Sequence, residues 1–306
     1  MKILMTGSTG LVGTAFVSAL ARDGHTVCRL LRPQSAVLGA SKEGFDVAWN
    51  PATGELGGAG VGADAVVNLA GASIVGGRWT KARKELLCAS RIDTTRALVG
   101  ALAKMHARPR VLVSASAIGI YGDRGDELLT EDSKPGTGFL AALAREWEAE
   151  ALKAEALGIR VVLGRFGIIL AQHSGALAKM LLPFKLGVGG RLGSGKQWMS
   201  WITLEDVVTI TRFAMENEAV RGAINVVAPQ PVQNAEFTKV LGKALRRPTL
   251  FPVPALALRL ALGETADALL LSSQRVRPRA LEKLGYQFLH PELSAALNSV
   301  LQREVK

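Results

Sequence analysis

Residues Thr6-Gly7-Ser8-Thr9-Gly10-Leu11-Val12-Gly13 place three glycines at the spacing G-x-x-G-x-x-G, between an apolar run ending at Thr6 and a helical pattern starting at Leu11. That context gives the spacing a chemistry. Gly7 permits a tight turn, Gly10 lets a pyrophosphate approach the backbone, and Gly13 lets the helix pack close to the strand. The helix N-terminus then offers unpaired N–H groups and partial positive charge to phosphate. Thr9, Leu11 and Val12 lie on the same loop and are expected to contact the bound dinucleotide.

The end of the next strand candidate decides which dinucleotide. An NAD site usually carries an acid there for the ribose 2′-hydroxyl. Here the end reads Arg29-Leu30-Leu31-Arg32, with Leu31 where the acid belongs. Arg32 suits a bidentate contact with a 2′-phosphate, although a solvated surface arginine is the alternative. The expected cofactor is therefore NADP(H) in preference to NAD(H).

Other chemistries lack their residues. His25, His106, His173 and His290 are far apart, no His/Asp/Glu cluster has metal-ligand spacing, and no metal is expected. A G-x-S-x-G elbow with a following histidine is absent, which argues against a hydrolase. Cys28 and Cys88 are the only cysteines and lack a Cys-x-x-Cys context, so a disulfide scaffold is excluded.

The elements that must position the loop alternate. Lys2 to Thr6, Thr26 to Leu31, Ala65 to Ala70, Arg110 to Ser114 and Arg160 to Leu163 read as strands, several of them continuously apolar. Leu11 to Arg22, Trp79 to Met105 and Gly138 to Gly158 read as helices, the last closed by Gly158. Strand–helix alternation predicts an α/β, doubly wound parallel sheet of Rossmann type with a smaller C-terminal lobe. Further on, Leu204 to Glu216 and Ala235 to Leu245 read as helices around a strand at Ala223 to Val227, which is expected to return to the sheet. Phe251 to Leu271 reads as apolar and helical. The division is a cofactor-binding core over 1–165 and a substrate-side and C-terminal lobe over 166–306.

The chain has 306 residues, 48% of them hydrophobic, enough for a sizeable core. The formal net charge is +11, but the cations are scattered and aromatics are only 5%, so no stacking platform for nucleic acid is evident. No run of about 18 apolar residues suggests a membrane span. A small-molecule substrate, no nucleic acid, no membrane and a cytoplasmic location are the expectations. The apolar C-terminal stripe adds a homodimer as a further one.

Several motifs go beyond the loop. Asn68-Leu69-Ala70-Gly71, Ser114-Ala115-Ser116 with Tyr121-Gly122, and Trp201 through Val207 together resemble the extended short-chain dehydrogenase/reductase superfamily. A closer resemblance, to its epimerase-family NAD(P)-binding subgroup with a C-terminal domain of unknown function, covers nearly the whole chain. It runs through Trp49-Asn50-Pro51, Arg78-Trp79, Ser90-Arg91-Ile92, Trp147-Glu148, Gly187 to Gly195 and Arg247 to Phe288. The resemblance implies that Asn68, Leu69, Ala70 and Gly71 line the adenosine side of the cofactor. It also implies that Ser114 and Ala115 stand at the active-site strand end, and that Arg165, Phe166 and Gly167 pass the nicotinamide.

The superfamily's acid/base is a tyrosine followed four residues later by a lysine. Here Phe139 and Leu143 stand near those positions, and Arg91 replaces the helical asparagine. With only Tyr121 and Tyr286 in the chain, the candidate catalytic groups are Ser116, to hold a substrate oxygen, and Tyr121, as acid. The bland alternatives are a strand-end hydroxyl bonded locally and an aromatic packed over the pocket mouth. Glu148 is read as a helix residue paired with a cation. Arg191 and Lys196 are candidates for an anionic substrate group. Trp198 and Trp201, which border the glycine-rich loop, are candidates for an aromatic wall. The expectation is an NADP(H)-binding oxidoreductase or epimerase-like enzyme for a small carbonyl or sugar-like substrate. A non-catalytic dinucleotide sensor is the alternative.

Overall fold

The computed structural model describes residues 1–31, 44–56 and 62–302. Its frame is a parallel sheet covered on both faces. The strands are β1 (Lys2–Thr6), β2 (Thr26–Leu31), β3 (Gly44–Asn50), β4 (Glu55–Leu56), β5 (Ala65–Asn68), β6 (Val111–Ala117), β7 (Leu128–Leu129), β8 (Arg160–Phe166), β9 (Ile168–Leu170), β10 (Trp198–Met199), β11 (Trp201–Thr203), β12 (Gly222–Val226), β13 (Val232–Gln233) and β14 (Arg275–Val276). Eight of them form one sheet in the order β12-β8-β6-β5-β1-β2-β3-β4. All neighbours are parallel except β4, which runs antiparallel to β3.

Strand periodicity sorts the core into two layers. Ile3 and Met5 of β1 join one apolar cluster, and Leu4 between them joins the other. Successive strand side chains point to opposite faces. Helices α1 (Leu11–Arg22) and α6 (Leu204–Glu216) contribute Phe16, Leu20, Val207 and Ile210 to the first cluster. The remaining helices in chain order begin with α2 (Lys81–Cys88), α3 (Thr94–Ala103), α4 (Phe139–Leu152) and α5 (Gly175–Lys185). Leu98 and Leu102 of α3 and Ala151 of α4 join the second cluster. Burial on both faces is why these strands read as continuous apolar runs.

The C-terminal part adds α7 (Asn234–Leu245), α8 (Ala255–Leu262), α9 (Glu264–Ala266), α10 (Arg279–Lys283) and α11 (Leu293–Gln302). It also holds partners of the three two-stranded sheets, β9 with β11, β10 with β13 and β7 with β14.

Three expectations are corrected. The helix read over Trp79 to Met105 is a helical run from Lys81 to Ala103 interrupted by a π turn at Ala89–Asp93. Hydrophobic spacing averages over one inserted residue and does not reveal such a turn. Gly138 to Gly158 holds α4 followed by a 3₁₀ turn at Lys153–Leu157, with Gly158 closing it at φ 79°. The stretch Phe251 to Leu271 starts its helix only at Ala255 and breaks at Gly263, whose φ of 60° ends α8.

Candidate functional site: a dinucleotide cleft at the strand ends

The chain turns from β1 to α1 and β2 on one side, and crosses to β5 on the other. The carboxyl ends of β1 and β5 therefore flank the switch point of the sheet, where open α/β sheets bind their ligands. Gly7 sits there with φ 67°, and a Cβ on it would lie 2.4 Å from the Leu69 carbonyl oxygen. A Cβ on Gly13 would lie 2.1 Å from the Gly7 oxygen, so Gly13 sets how closely α1 approaches the loop. Gly10 is different. Its Cβ would meet only the Gly7 oxygen at 3.4 Å, and Thr9 and Gly10 are exposed. Leu11 and Val12 are half-buried behind them.

The loop leaves donors unused. Gly10 is the N-cap of α1 with no side-chain cap, and no acid stands in the first turn. The Ser8 hydroxyl is buried without a hydrogen-bond partner among the described residues. Unpaired first-turn amides and a partnerless buried hydroxyl fit a pyrophosphate. Leu31 ends β2 and is buried. Arg32, expected to hold a 2′-phosphate, lies outside the described residues.

The side chains of Asn68 and Ser114 are turned to the interior. Asn68 Oδ1 accepts from Thr6 Oγ1 at 2.7 Å, and its Nδ2 donates to Thr95 Oγ1 at 2.8 Å and Ser114 Oγ at 3.1 Å. Trp147 Nε1 donates to the same Thr95 hydroxyl at 3.0 Å. This network ties β1, β5 and β6 to α3 and α4.

Ser116 and Tyr121, the expected catalytic hydroxyls, are both buried. Ser116 Oγ donates to Glu148 Oε1 at 2.6 Å. Arg165 spans the same carboxylate, Nε to Oε1 at 2.8 Å and Nη2 to Oε2 at 2.9 Å. Its Nη1 donates to the Tyr121 hydroxyl at 2.9 Å, and that hydroxyl donates to Asn225 Oδ1 at 2.8 Å. The structure thus brings Ser116 and Tyr121 into one network, through Glu148 and Arg165. Burial raises the Tyr121 pKa, against the lowering effect of Arg165. A fully buried phenol with both hydrogen-bonding roles taken has no face for a substrate oxygen, so in this arrangement Tyr121 holds a wall in place. The Glu148 partner is Arg165 on β8, a neighbour across the fold. Burial opposes the Arg165 charge, but Glu148 and Tyr121 outweigh it and hold the guanidinium above its ordinary pKa.

An apolar cluster surrounds Leu143. Leu143 packs with Trp79, Leu87, Ile92, Ala115 and Trp147, and Leu69, Phe139 and Phe166 join from the edge. Phe139 meets Trp79 edge-on at 5.3 Å, with Lys84 Nζ 5.0 Å over its ring. Gly167 admits no side chain, since a Cβ would lie 2.5 Å from the Ser200 carbonyl oxygen.

The family profile described as NAD dependent epimerase/dehydratase family matches residues 3–227. The chain belongs to that family. A domain of unknown function, DUF1731, matches residues 253–300. An epimerase family protein of Mycobacterium leprae is 40% identical over 302 residues, covering 98% of this chain and 96% of the relative. The crystal structure of human epimerase family protein SDR39U1 with NADPH superposes with a TM-score of 0.87 at 33% identity, covering 98% of this chain and 99% of that one. A nucleoside-diphosphate sugar epimerase from Corynebacterium glutamicum gives 0.79 at 32%, over 99% of this chain and 59% of the other.

Other expected side chains lie elsewhere. Arg191 bonds its own loop at the Ser194 carbonyl, and Lys196 is exposed. Trp201 is fully buried, donating to the Gln230 carbonyl oxygen at 3.1 Å, so it is core and does not form an aromatic wall. Trp198 stays half-buried, with Arg275 4.4 Å over its ring. Thr95 was missed by sequence reasoning: it stands between Thr94 and Arg96, so nothing in its local pattern marks it as buried. Among the described residues no group of His, Cys, Asp and Glu is placed to hold a metal, and no helix is long and apolar enough to cross a membrane.

Proposed function

We propose that the protein is an NADP(H)-dependent oxidoreductase or epimerase-like enzyme acting on a small carbonyl or sugar-like substrate. The observation that carries this reading is the uncapped α1 N-terminus beside the partnerless Ser8 hydroxyl, at the switch point of the sheet. NADPH in the human relative supports the choice of cofactor, and Arg32 supports it from the sequence.

When bound, the nicotinamide supplies or takes the hydride. The chain's own groups bind and orient. The amides following Gly10 and the Ser8 hydroxyl would hold pyrophosphate, while the backbone at Leu69 to Gly71 and at Arg165 to Gly167 would bound the adenosine and nicotinamide ends. Ala115, Leu143 and Phe166 exclude water from the reacting face. Ser116 and Tyr121 serve this reading as positioning residues, fixing the end of β6 and Arg165.

The reading goes with a cytoplasmic protein and a small-molecule substrate, without nucleic acid or membrane partners. It also goes with self-association, supported by Leu256 and Leu260 of α8, which are 66% and 67% exposed. A sensor that binds the dinucleotide without turnover is favoured by one observation, the apolar side chains at Phe139 and Leu143.

Fluorescence titration with NADPH and NADH tests the cofactor, and NADPH oxidation with a panel of small carbonyls tests the reaction. NADPH should bind more tightly, and Arg32→Ala should narrow the gap. Equal affinities would remove the NADP(H) preference. Tight binding without turnover on any carbonyl would leave the sensor.

A further inference from the structure

Arg91 is a half-buried guanidinium without an acid. Among the described residues no carboxylate lies within ion-pair distance of it. Its acceptors are neutral: the Leu87 carbonyl at 3.3 Å and Ser90 Oγ at 3.4 Å from Nη1, and the Ala72 carbonyl at 2.9 Å from Nη2. Its plane lies 5.3 Å over the Trp147 ring. Burial lowers its pKa to about 10, and the nearby Arg83 adds to the lowering. Buried charges in folded proteins are usually paired, because desolvation is costly.

The fold is shaped around this side chain. Arg91 sits at the middle of the π turn Ala89–Asp93, a distortion that often marks a functional site. Gly71 packs closely on this side chain: a Cβ there would lie 3.0 Å from Arg91 Cζ, so a larger residue would press on the guanidinium. The Arg91 Nε–H and one Nη2–H have no acceptor among the described residues. Trp147 of the apolar cluster lies under the guanidinium, and among the described residues no acid pairs with the charge. A planar fork with free donors in an apolar surround suits a carboxylate or phosphate.

We propose that Arg91 is the anion-binding residue of the cleft, receiving an oxyanion, carboxylate or phosphate, from the molecule bound beside the Gly71–Ala72 segment. This rests on the proposed function and names its substrate class, a carbonyl compound carrying an anionic group. The same chemistry has a second source in the phosphates of the dinucleotide, and the test separates the two.

NADPH affinity is measured for wild type, Arg91→Lys and Arg91→Met by fluorescence. Inorganic phosphate and oxamate are then titrated into each protein with and without NADPH, read by tryptophan emission, to which Trp147 beside Arg91 contributes. Arg91→Met should lose about tenfold or more in probe affinity, with Arg91→Lys intermediate, because charge without the fork retains part of the contact. Unchanged NADPH affinity beside that loss assigns the oxyanion to the substrate. A tenfold loss of NADPH affinity assigns it to the cofactor. Unchanged affinity for both in a folded Arg91→Met, or in Arg91→Lys if the methionine variant does not fold, overturns the proposal and leaves Arg91 as a clamp on two carbonyls. The probe titration without NADPH still reads Arg91 if the protein binds no dinucleotide, so failure of the functional reading is a separate result.

Discussion

Arg165 and Glu148 face each other across the interior as a two-pronged ion pair, with N···O distances of 2.8 and 2.9 Å and side chains only 10% and 8% exposed. Ser116 and Tyr121 complete the ring of partners, one on the carboxylate and one on the guanidinium. Removing one charge strands the other. Glu148→Ala should cost about 3–5 kcal/mol of stability, measured by urea unfolding, because it leaves Arg165 buried and unpaired. Replacing both by apolar residues of similar volume should cost less than Glu148→Ala alone. Additive losses in the double variant would show that the two residues act independently.

The glycine loop separates folding from binding. Gly13→Ala drives a Cβ to 2.1 Å from the Gly7 oxygen and should lower the melting temperature sharply. Gly10→Ala has 3.4 Å there and should fold normally. It nevertheless places a methyl where pyrophosphate must approach, and NADPH affinity should fall about tenfold, or about 1.4 kcal/mol. A Gly10→Ala protein that binds NADPH like wild type would move the phosphates away from this loop.

The two tyrosines give a pH test. Burial raises the Tyr121 pKa, and burial pushes Tyr286 up to about 12 despite the Thr209 hydrogen bond. Both phenols are neutral in the folded and unfolded chain well below pH ~10, the ordinary value. Above it the unfolded chain ionises first. The stabilisation from the neutral phenols is therefore complete below pH ~10 and is lost as pH rises through the folded values. Absorbance at 295 nm should show little tyrosinate in native protein at pH ~10 and much more in urea. Tyr121→Phe should keep NADPH-dependent turnover, since its hydroxyl serves Arg165 and Asn225. Loss of turnover with an unchanged melting temperature would restore Tyr121 as the acid.

What was legible in the chain follows from locality. β1, β5 and β8 showed as apolar runs because both faces are buried, and the glycine loop showed because its spacing, strand and helix are contiguous. β3 went unread: Phe45 is 65% exposed while Val47 and Trp49 are buried, so its apolar residues do not all face the core. Glu148 and Arg165 are separated by a helix end and a turn, so spacing does not show that they meet. Arg91 was visible only as a substitution. Its place beside Trp147 and Gly71, without an acid, depends on the π turn, which periodicity does not encode.

The absent proton relay yields a prediction about what the pocket tolerates. Phe139 lies at the edge of the cluster, half-buried beside Trp79 and Lys84. Phe139→Tyr should therefore fold, its added hydroxyl reaching the cleft side. Leu143 is 4% exposed among Trp79, Leu87, Ile92, Ala115 and Trp147. An ammonium there would lose its water in an apolar surround, with Arg91 over Trp147 adding like charge. Leu143→Lys should cost about 4 kcal/mol at pH 7 and recover part of that as pH rises and the amine deprotonates. Thermal melts of both variants at pH 7 and pH 9 read this directly. A Leu143→Lys protein as stable as wild type at pH 7 would mean that water reaches the position, and that the relay could be rebuilt on α4.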